Sequence, residues 1–374
     1  MDMRILIEPD YQNSYWCTET IKGIREQAYL RKINLISLDE QAIMQSLPDN
    51  GKNVIIVVGT SINWINRITS SILYKGFLCL LVTSDQKFYL ANGASSILMD
   101  YRNSMYTLLS YLEEIGDQHI AFFGANPNSY ADMVKCSCFS WKKDIYYNFG
   151  SVTTCTNQIW SRIRNYDAII CANDAVAIHL LHFLLEHGIS IPQDLHLVSF
   201  GDFFLSQFIQ PSITSVAQDY RMLGQQAVNT CSFLSKNPQL TVNVLIKCTL
   251  KIRESTDKKE TSPTPSYLNN QENESADVNF YSDTPIALIL SLEKLLMSSD
   301  YLDLQILQLL LHKTTQEKIA EELNFSLSSL RYRIRKLCSC FPDYSRDAML
   351  DTIRSYLPSN ALENAIKQKK YLDF

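Results

Sequence analysis

Residues 167–174 read Asp-Ala-Ile-Ile-Cys-Ala-Asn-Asp, an apolar run that ends in two polar residues. The run has the length of a buried β-strand, and segment 173–187 after it carries apolar residues at helical spacing. The same alternation extends from residue 3 to about residue 253. Repeated strand–helix alternation predicts an α/β fold of doubly wound parallel sheets with helices on both faces, and this length suits two such sheets.

Eight apolar runs in this region are predicted to be strands, and six amphipathic segments are predicted to be helices. The predicted strands are 3–8, 33–38, 53–58, 77–83, 118–123, 167–171, 195–199 and 242–250. The predicted helices are 15–32, 62–75, 103–115, 155–164, 173–187 and 219–235.

The alternation stops at residues 254–285, which are polar, contain proline and have almost no apolar side chains. Such a segment cannot bury a core and is predicted to be a linker. Residues 286–357 then have a helical pattern almost throughout. We therefore expect an α/β domain over 1–253 and a small all-α domain over 286–374, folding independently across the linker.

Composition limits the class of protein. The 374 residues are 46% apolar and 20% charged, which is ordinary for a globular chain, and the net charge of −5 gives no overall basic surplus. The start of the chain has no secretory signal, and no apolar run is long enough to span a membrane. We expect a cytoplasmic protein without a membrane partner.

The ten cysteines include two Cys-x-Cys pairs, at 136/138 and 338/340. Neither pair has the Cys-x2-Cys spacing of zinc sites, and no histidine stands close to either. We interpret the cysteines as small, mostly buried hydrophobic residues and predict no metal and no cofactor.

The clearest chemical pattern lies between residues 302 and 337. Thr314 and Glu317 have capping-box spacing at the start of a short helix, and a turn over 324–326 leads into a second helix, about 327–338. In that second helix the apolar residues recur at i, i+4 and i+7, which predicts one buried face. Two short helices joined by such a turn form a helix-turn-helix.

The other face of the second helix is basic. Between residues 327 and 337 there are four cationic side chains and no acidic one, with Arg333 at the flank. A helix in the DNA major groove must meet phosphates and present hydrogen-bond donors to base edges, whereas the alternative is an ordinary solvated face. The predicted DNA-binding residues are Thr315, Ser328, Ser329, Arg331, Tyr332, Arg335 and Lys336.

This segment resembles two families of helix-turn-helix. Lys318-Ile319-Ala320, Phe325-Ser326 and Ser329-Leu330-Arg331 stand at positions of the LuxR-type motif. The run from Leu330 to Lys336 also resembles the second helix of PucR-type regulators. Either resemblance implies binding to double-stranded DNA, and the choice between them stays open.

The α/β region resembles the effector-binding domain of LacI/GalR-type repressors, which has a periplasmic-binding-protein-like fold. The resemblance spans about 1–253 and is clearest over 167–216, with Gly188-Ile189-Ser190-Ile191-Pro192 and Pro211-Ser212-Ile213-Thr214-Ser215. It implies two lobes that close on a small ligand. In open α/β sheets, ligands bind beyond the carboxyl ends of the strands. The candidate ligand-binding residues are Asn13, Tyr15, Trp16, Ser61, Asp100, Lys135, Asn173 and Asp202.

Several of these residues also have a structural interpretation. Asn173 or Asp174 is expected to cap the helix that follows, and Tyr15 and Trp16 could equally be core residues of the first helix.

Two departures from the resembling family bear on the ligand. Lys135 stands where sugar-binding members commonly have Arg, so a point charge replaces a bidentate fork. After Gly201 the chain has only Asp202 where the family often has two acidic residues. Both departures argue against the usual sugar ligand of this family. We expect a small polar effector, which is a sugar or a similar molecule. The helix-turn-helix also stands after this domain rather than before it.

The leading hypothesis is a one-component transcriptional regulator that binds an effector through 1–253 and operator DNA through the helix-turn-helix. A response regulator is excluded because strand 53–58 ends in Gly-Thr-Ser and lacks the acceptor aspartate. A solute-binding protein or a scaffold with a degenerate pocket remains the alternative. An enzyme has no support, because no phosphate loop or hydrolase motif is present.

We also expect a homodimer, since one short helix in one groove gives limited affinity. The stripe Leu288, Leu292 and Leu295 could pair subunits or pack on the helix-turn-helix.

Overall fold

The computed structural model describes residues 2–45, 53–82, 93–139, 144–257, 283–358 and 360–370. Most of the predicted linker, 258–282, lies outside the described residues. The chain forms two compact units: Met1–Tyr111 with Ala125–Lys142 and Ala217–Leu250, and Leu112–Gly124 with Lys143–Val216 and Lys251–Phe374. Among the described helices, none is both long enough and apolar enough for a membrane span.

The first unit is built on a six-stranded sheet in the order β2-β1-β3-β4-β5-β11. Its strands are β1 (Asp2–Ile7), β2 (Asn34–Leu38), β3 (Val54–Val58), β4 (Leu78–Val82), β5 (Ser95–Met99) and β11 (Asn243–Ile246). All five neighbouring pairs are parallel. The central strands are apolar on both faces, as expected for a parallel sheet covered by helices.

The helices of this unit pack around the sheet. They are α1 (Tyr15–Leu30), α2 (Glu40–Gln45), α3 (Ile62–Tyr74), α4 (Tyr101–Glu114, which ends in the second unit), α5 (Tyr130–Cys138) and α8 (Tyr220–Lys236). The helices α1 and α8 cross closely at Gly23 and Gly224. A Cβ atom at Gly23 would lie 2.0 Å from the Arg221 carbonyl oxygen, so only glycine permits this approach.

The second unit repeats the strand order, as β7-β6-β8-β9-β10-β12. The strands of this sheet are β6 (Ile120–Ala125), β7 (Ile145–Tyr147), β8 (Ala168–Cys171), β9 (His196–Gly201), β10 (Thr214–Ala217) and β12 (Thr249–Lys251), of which β12 begins in the first unit. Pairs β6–β8 and β8–β9 are parallel. Helices α6 (Val152–Trp160) and α7 (Asp174–Glu186) belong to this unit. The doubly wound α/β fold is thereby confirmed.

Helices make up the C-terminal part of the second unit. They are α9 (Thr284–Ser298), α10 (Tyr301–Leu311), α11 (Gln316–Glu322), α12 (Leu327–Cys338), α13 (Arg346–Tyr356) and α14 (Ala361–Lys370). The first of them, α9, packs against α7 and against the turn Leu205–Gln207. Leu292 and Leu295 of the expected stripe are buried within the unit, whereas Leu288 is only partly buried, so the first two pack inside the chain.

Three strands escaped the sequence prediction: β5, β7 and β10. The first begins with two serines, which interrupt the apolar run. These serines are nevertheless buried, because the Ser95 hydroxyl accepts a hydrogen bond from the Val242 amide at 3.1 Å and the Ser96 hydroxyl donates to the Asn243 side chain at 2.8 Å. The single strand predicted over 242–250 is wrong, since β11 and β12 lie in different sheets.

Candidate functional site

In the first unit, the strand order reverses between β1 and β3, and the loops after these strands meet there. The Glu8 carboxylate is only 2% exposed and accepts hydrogen bonds from the amides of Thr60 at 2.9 Å and Ser61 at 3.2 Å. The Tyr11 hydroxyl hydrogen bonds to Ser61. Burial raises the pKa of Tyr11, and the carboxylate of Glu8 raises it further. The hydrogen bond to Ser61 acts in the opposite direction and lowers this pKa. The carboxyl edge of the sheet therefore carries a polar cluster.

Lys135 and Asp100 also belong to this unit. Lys135 is 3% exposed; its ammonium donates to Asp132 at 2.8 Å and lies 5.7 Å from the centre of the Tyr101 ring. Asp100 Oδ1 accepts a hydrogen bond from the Asn103 amide at 3.2 Å, in the first turn of α4. Both predicted ligand-binding charges are thus already engaged by the protein.

The aromatic candidates of the first unit are partly in its core. Trp16 packs against the hydrophobic core and lies 6.1 Å from the Tyr11 ring. Tyr15 meets Tyr220 edge to face at 6.3 Å. Asn13 is exposed in the loop before α1. The core interpretation therefore describes Trp16 better than a purely ligand-binding one.

In the second unit, Asn173 and Asp174 have separate tasks after β8. The Asn173 side chain caps α7 by accepting from the Val176 amide at 3.1 Å. The Asp174 side chain is completely buried and accepts hydrogen bonds from the hydroxyls of Ser199, Ser206 and Ser215 and from the Phe203 amide. Of these, Ser206 lies at 2.7 Å and Ser215 at 2.8 Å. Burial raises the pKa of Asp174 despite these donors.

Asp202 follows β9 with a positive φ of 56°. Its carboxylate forms an ion pair with Arg253, whose other guanidinium nitrogen donates to the Ile213 carbonyl at 2.8 Å. The Ser215 hydroxyl accepts from the Asp202 amide at 3.0 Å. Asp202 therefore anchors the loop after β9 and is engaged by a cation of the same unit.

The helix-turn-helix consists of α11, the turn after it and α12. Thr315, not Thr314, is the N-cap of α11, so the predicted capping box of Thr314 with Glu317 is wrong. The turn passes through Asn324 at a φ of 55°, and the Ser326 hydroxyl caps α12 by accepting from the Ser329 amide at 3.1 Å. The predicted apolar face of α12 is buried: Leu330, Ile334 and Leu337.

All seven predicted DNA-binding residues are exposed. Arg331 and Arg335 lie four residues apart on the outer side of α12. The Arg331 Nε donates to the neutral amide oxygen of Gln316 at 3.3 Å. Within the residues that the structure describes, neither Arg331 nor Arg335 forms an ion pair. Tyr332, between them in sequence, is 69% exposed.

The remaining two cations of α12 face α10. Arg333 forms ion pairs with Asp300 at 2.8 Å and with Asp303 at 2.6 Å, and its guanidinium lies 5.4 Å from the Phe325 ring centre. Lys336 lies 3.7 Å from Asp303, whose side chain is fully buried. Asp300 and Asp303 also form the capping box of α10. The sequence placed Arg333 correctly at the flank and missed its two partners.

A further carboxylate, Glu293 of α9, contacts the loop that starts at Asp202. It is 1% exposed and accepts hydrogen bonds from the amides of Phe204 at 2.8 Å and Leu205 at 2.7 Å. Burial raises the pKa of Glu293 to about 7, and the nearby Asp174 and Asp202 carboxylates add to the increase. The loop after β9 is therefore hydrogen bonded to the helix that leads to the helix-turn-helix.

Sequence reasoning missed Glu8, Asp132 and Glu293. Of these, only Glu293 carried a signal, because a charged residue inside the apolar run of α9 must find a buried partner. The identity of that partner could not follow from local spacing.

None of the ten cysteines forms a disulfide bond, and most of them are buried. Burial raises the pKa of Cys17 and Cys79 to about 12, so these thiols stay protonated at neutral pH. Among the described residues, no group of three or more histidine, cysteine or acidic side chains could hold a metal ion.

The fold and the C-terminal helices together define a class of protein. A family model of periplasmic-binding-protein-like domains matches residues 110–256, and a model of winged helix-turn-helix DNA-binding segments matches residues 299–340. The chain thus joins a periplasmic-binding-protein-like fold to a C-terminal helix-turn-helix. The part of 283–370 that the structure describes is helical, so no strands of a wing follow α12 there.

Similar proteins in this class are transcriptional regulators. The HTH-type transcriptional repressor PurR of Haemophilus influenzae strain Rd is 31% identical over 75 residues, which cover 20% of this chain and 22% of that repressor. Catabolite control protein A of Priestia megaterium is 23% identical over 275 residues, covering 67% of this chain and 80% of that protein. The chain therefore spans less than a quarter of the PurR repressor it matches.

Solved structures share the fold over a longer stretch. The transcription regulator CcpA of Lactococcus lactis superposes with a TM-score of 0.56 at 18% identity, covering 69% of this chain and 100% of that one. The lac repressor dimer bound to operator and the anti-inducer ONPF gives 0.55 at 16% identity, covering 68% of this chain and 82% of that one. At these identities the similarity concerns the fold.

Proposed function

We propose that the chain is a ligand-responsive, DNA-binding transcriptional regulator of the cytoplasm. A small polar effector binds the α/β domain, and operator DNA is read by the C-terminal helix-turn-helix, with α12 in the major groove. The observation that carries this proposal is the outer face of α12, where Arg331 and Arg335 are exposed and form no ion pair in the described part of the chain. Base edges and phosphates are the partners that such donors fit.

The similar proteins support the same function. Several are transcriptional repressors, and the lac repressor structure is a dimer bound to its operator. We therefore also propose a homodimer, since two reading helices engage two half-sites. Whether the helix-turn-helix belongs to the LuxR-type or the PucR-type is a finer proposal, which the winged model that matches this segment leaves open.

For the effector, we propose contacts from three of the predicted residues: Asp100 directly after β5, Lys135 in α5 and Asn173 after β8. Ligands of open α/β sheets bind beyond the carboxyl ends of the strands. Once a ligand is found, Asn173→Ala and Asp100→Ala should each weaken it at least about tenfold, because a buried ligand group would lose its partner. Unchanged affinity in both variants would exclude these residues as effector contacts.

A coupling route follows from Glu293. Effector contacts at Asp202 would move the loop after β9, and the amides of Phe204 and Leu205 in that loop hold the Glu293 carboxylate of α9. A shift of α9 would then reposition the helix-turn-helix that follows it. In this proposal the buried carboxylate passes the effector signal to the DNA-binding helices.

One alternative function has an observation in its favour. The Lys135–Asp132 and Asp202–Arg253 pairs occupy charges that a ligand would need, which favours a scaffold whose pocket is degenerate. A thermal-shift screen of sugars, nucleosides and amino acids discriminates between the two. A ligand that raises the Tm supports the regulator, whereas a screen in which no compound raises the Tm supports the scaffold.

The experiment that tests the function has two steps. First, the full chain selects binding sequences from a pool of random duplexes, and the enriched duplex is compared with a scrambled one of equal length. We expect enrichment of one sequence with two related half-sites. Second, a ligand from the thermal-shift screen is added, and the DNA affinity should change at least about fivefold. Equal binding of the selected and scrambled duplexes would contradict a sequence-specific regulator.

A further inference from the structure

A groove of about 840 Å³ lies between α12 and the start of α13. Its lining includes the buried residues Ile334 and Cys338. Its charged lining residues are Arg331, Arg335 and Arg346, with Asp347 as the carboxylate among them. The groove is therefore predominantly cationic, and two of its arginines belong to the face of α12 already assigned to DNA. Nothing in the sequence pattern of α12 pointed to Arg346.

Arg346 occupies an unfavourable place in its helix. It is the first residue of α13, directly after the N-cap Ser345, whose hydroxyl accepts from the Ala348 amide at 3.3 Å. The positive end of a helix dipole disfavours a cation in the first turn. A local rule that is broken with only a weak compensating contact inside the protein often marks a functional position.

The internal partner of Arg346 is weak. Its guanidinium lies 3.5 Å from the neighbouring Asp347 carboxylate, and these side chains are 47% and 82% exposed. Such a surface pair contributes little, because solvent screens it. Arg346 is close enough to Cys338 of α12 to oppose the rise in pKa that burial gives the Cys338 thiol. Arg346 and Cys338 line the same groove, and the positive charge remains available to an anion there.

We infer that this groove binds a phosphate of the DNA backbone, with Arg346 as its main contact. The inference rests on the proposed function and extends its interface from α12 to α13. An anion in the groove faces both a guanidinium and the positive end of α13, so it relieves the unfavourable position of the cation. Phosphate contacts of this kind fix the register of a reading helix and carry no sequence preference of their own.

The test measures the affinity of full-length variants for the selected and the scrambled duplex across salt concentrations. Arg346→Ala should weaken binding to both duplexes by the same factor, roughly 3–10-fold, and lower the slope of log affinity against log salt by about 1. Arg346→Lys keeps the charge and should keep most of the slope. The matched control is Arg354→Ala, at the other end of α13, where the arginine pairs with Asp351 at 2.8 Å. This control should bind like the parent.

Three outcomes would overturn the inference. Arg346→Ala could bind like the Arg354→Ala control, or its loss could be confined to the selected duplex. Alternatively, inorganic phosphate could raise the Tm of the parent but not of Arg346→Ala, while both bind DNA equally, which would assign the groove to a free anion. If an Arg331→Ala, Arg335→Ala variant loses DNA and Arg346→Ala does not, only this inference fails. If the parent itself does not bind DNA, the proposed function fails.

Discussion

Lys135 in the first unit and Arg335 on α12 are both cations at candidate sites, but their surroundings differ. Lys135 is 3% exposed and donates to Asp132 at 2.8 Å, whereas Arg335 is exposed and forms no ion pair within the described residues. The carboxylate of Asp202 is likewise held by Arg253. At these two positions of the α/β fold the charge is paired within the protein, while Arg335 on the outer face of α12 is left to a partner.

This difference predicts how substitutions in the two regions affect stability and binding. A buried, paired charge stabilises the fold, and removing one member leaves the other unsatisfied at a high cost. An exposed, unpaired cation contributes little to stability, so its substitution leaves the chain folded. Substitutions in the α/β units should therefore change stability first, and substitutions on the outer face of α12 should change binding first.

The largest expected effect concerns Asp174. Asp174→Ala removes the acceptor of three serine hydroxyls and of the Phe203 amide, so several buried donors lose their partner. We expect the free energy of unfolding to fall by about 3–5 kcal/mol. Denaturant titration at constant pH measures this, and Asp351→Ala, whose carboxylate is 72% exposed, is the control with almost no effect. A loss below about 1 kcal/mol would refute the central role of Asp174.

A somewhat smaller effect is expected from the titration of Glu293. Burial raises the pKa of Glu293 from 4.5 to about 7, and the facing Asp174 and Asp202 carboxylates add to this. Because the folded chain holds the proton more tightly than the unfolded chain does, this stability is fully present below about pH 4.5 and is lost as the pH rises through about 7.

Glu293→Gln stays neutral and provides the comparison. The free energy of unfolding of this variant, minus that of the parent, should therefore increase by on the order of 3 kcal/mol between pH 4.5 and 8. Denaturant titrations of both chains at a series of pH values measure the difference, in which the titration of other groups cancels. A difference that does not depend on pH would contradict the buried position of this carboxyl group.

The smallest predicted effect on stability distinguishes the two cations of α12 that face α10. Arg333→Ala removes the closest cation from the fully buried Asp303 and should cost about 2 kcal/mol. Lys336→Ala, with a half-exposed side chain 3.7 Å from the same carboxylate, should cost below about 1 kcal/mol. Thermal unfolding monitored by circular dichroism compares the two. Equal costs would mean that the structure assigns the ionic contact to the wrong cation.

The sequence predicted those parts of the molecule that depend on local pattern. The buried strand 167–171 and the apolar face of α12 follow from periodicity, and both are present. The partners of Asp174 and Glu293 could not be predicted in the same way, because they lie on segments far apart in the chain. The serines of β5 misled the prediction for a related reason, since their hydrogen-bond partners are the first residue of β11 and the residue before it, about 147 residues later in the chain.

The same distinction between local pattern and tertiary contacts applies to the candidate ligand-binding residues. The positions of Ser61, Asp100, Asn173 and Asp202 after strands followed from the fold class. Whether a side chain such as Lys135 or Asp202 was already paired depended on tertiary contacts, and the sequence could not supply these.

The central claim is that the outer face of α12 reads DNA, and one measurement tests it most directly. Fluorescence anisotropy of the selected duplex is recorded with the full-length parent and with the Arg331→Ala, Arg335→Ala variant across salt concentrations, with circular dichroism as the folding control. The account predicts that the variant is folded and binds the duplex about tenfold to a hundredfold more weakly than the parent. The variant should also no longer favour the selected sequence. A folded variant that binds this duplex like the parent at every salt concentration would contradict the account.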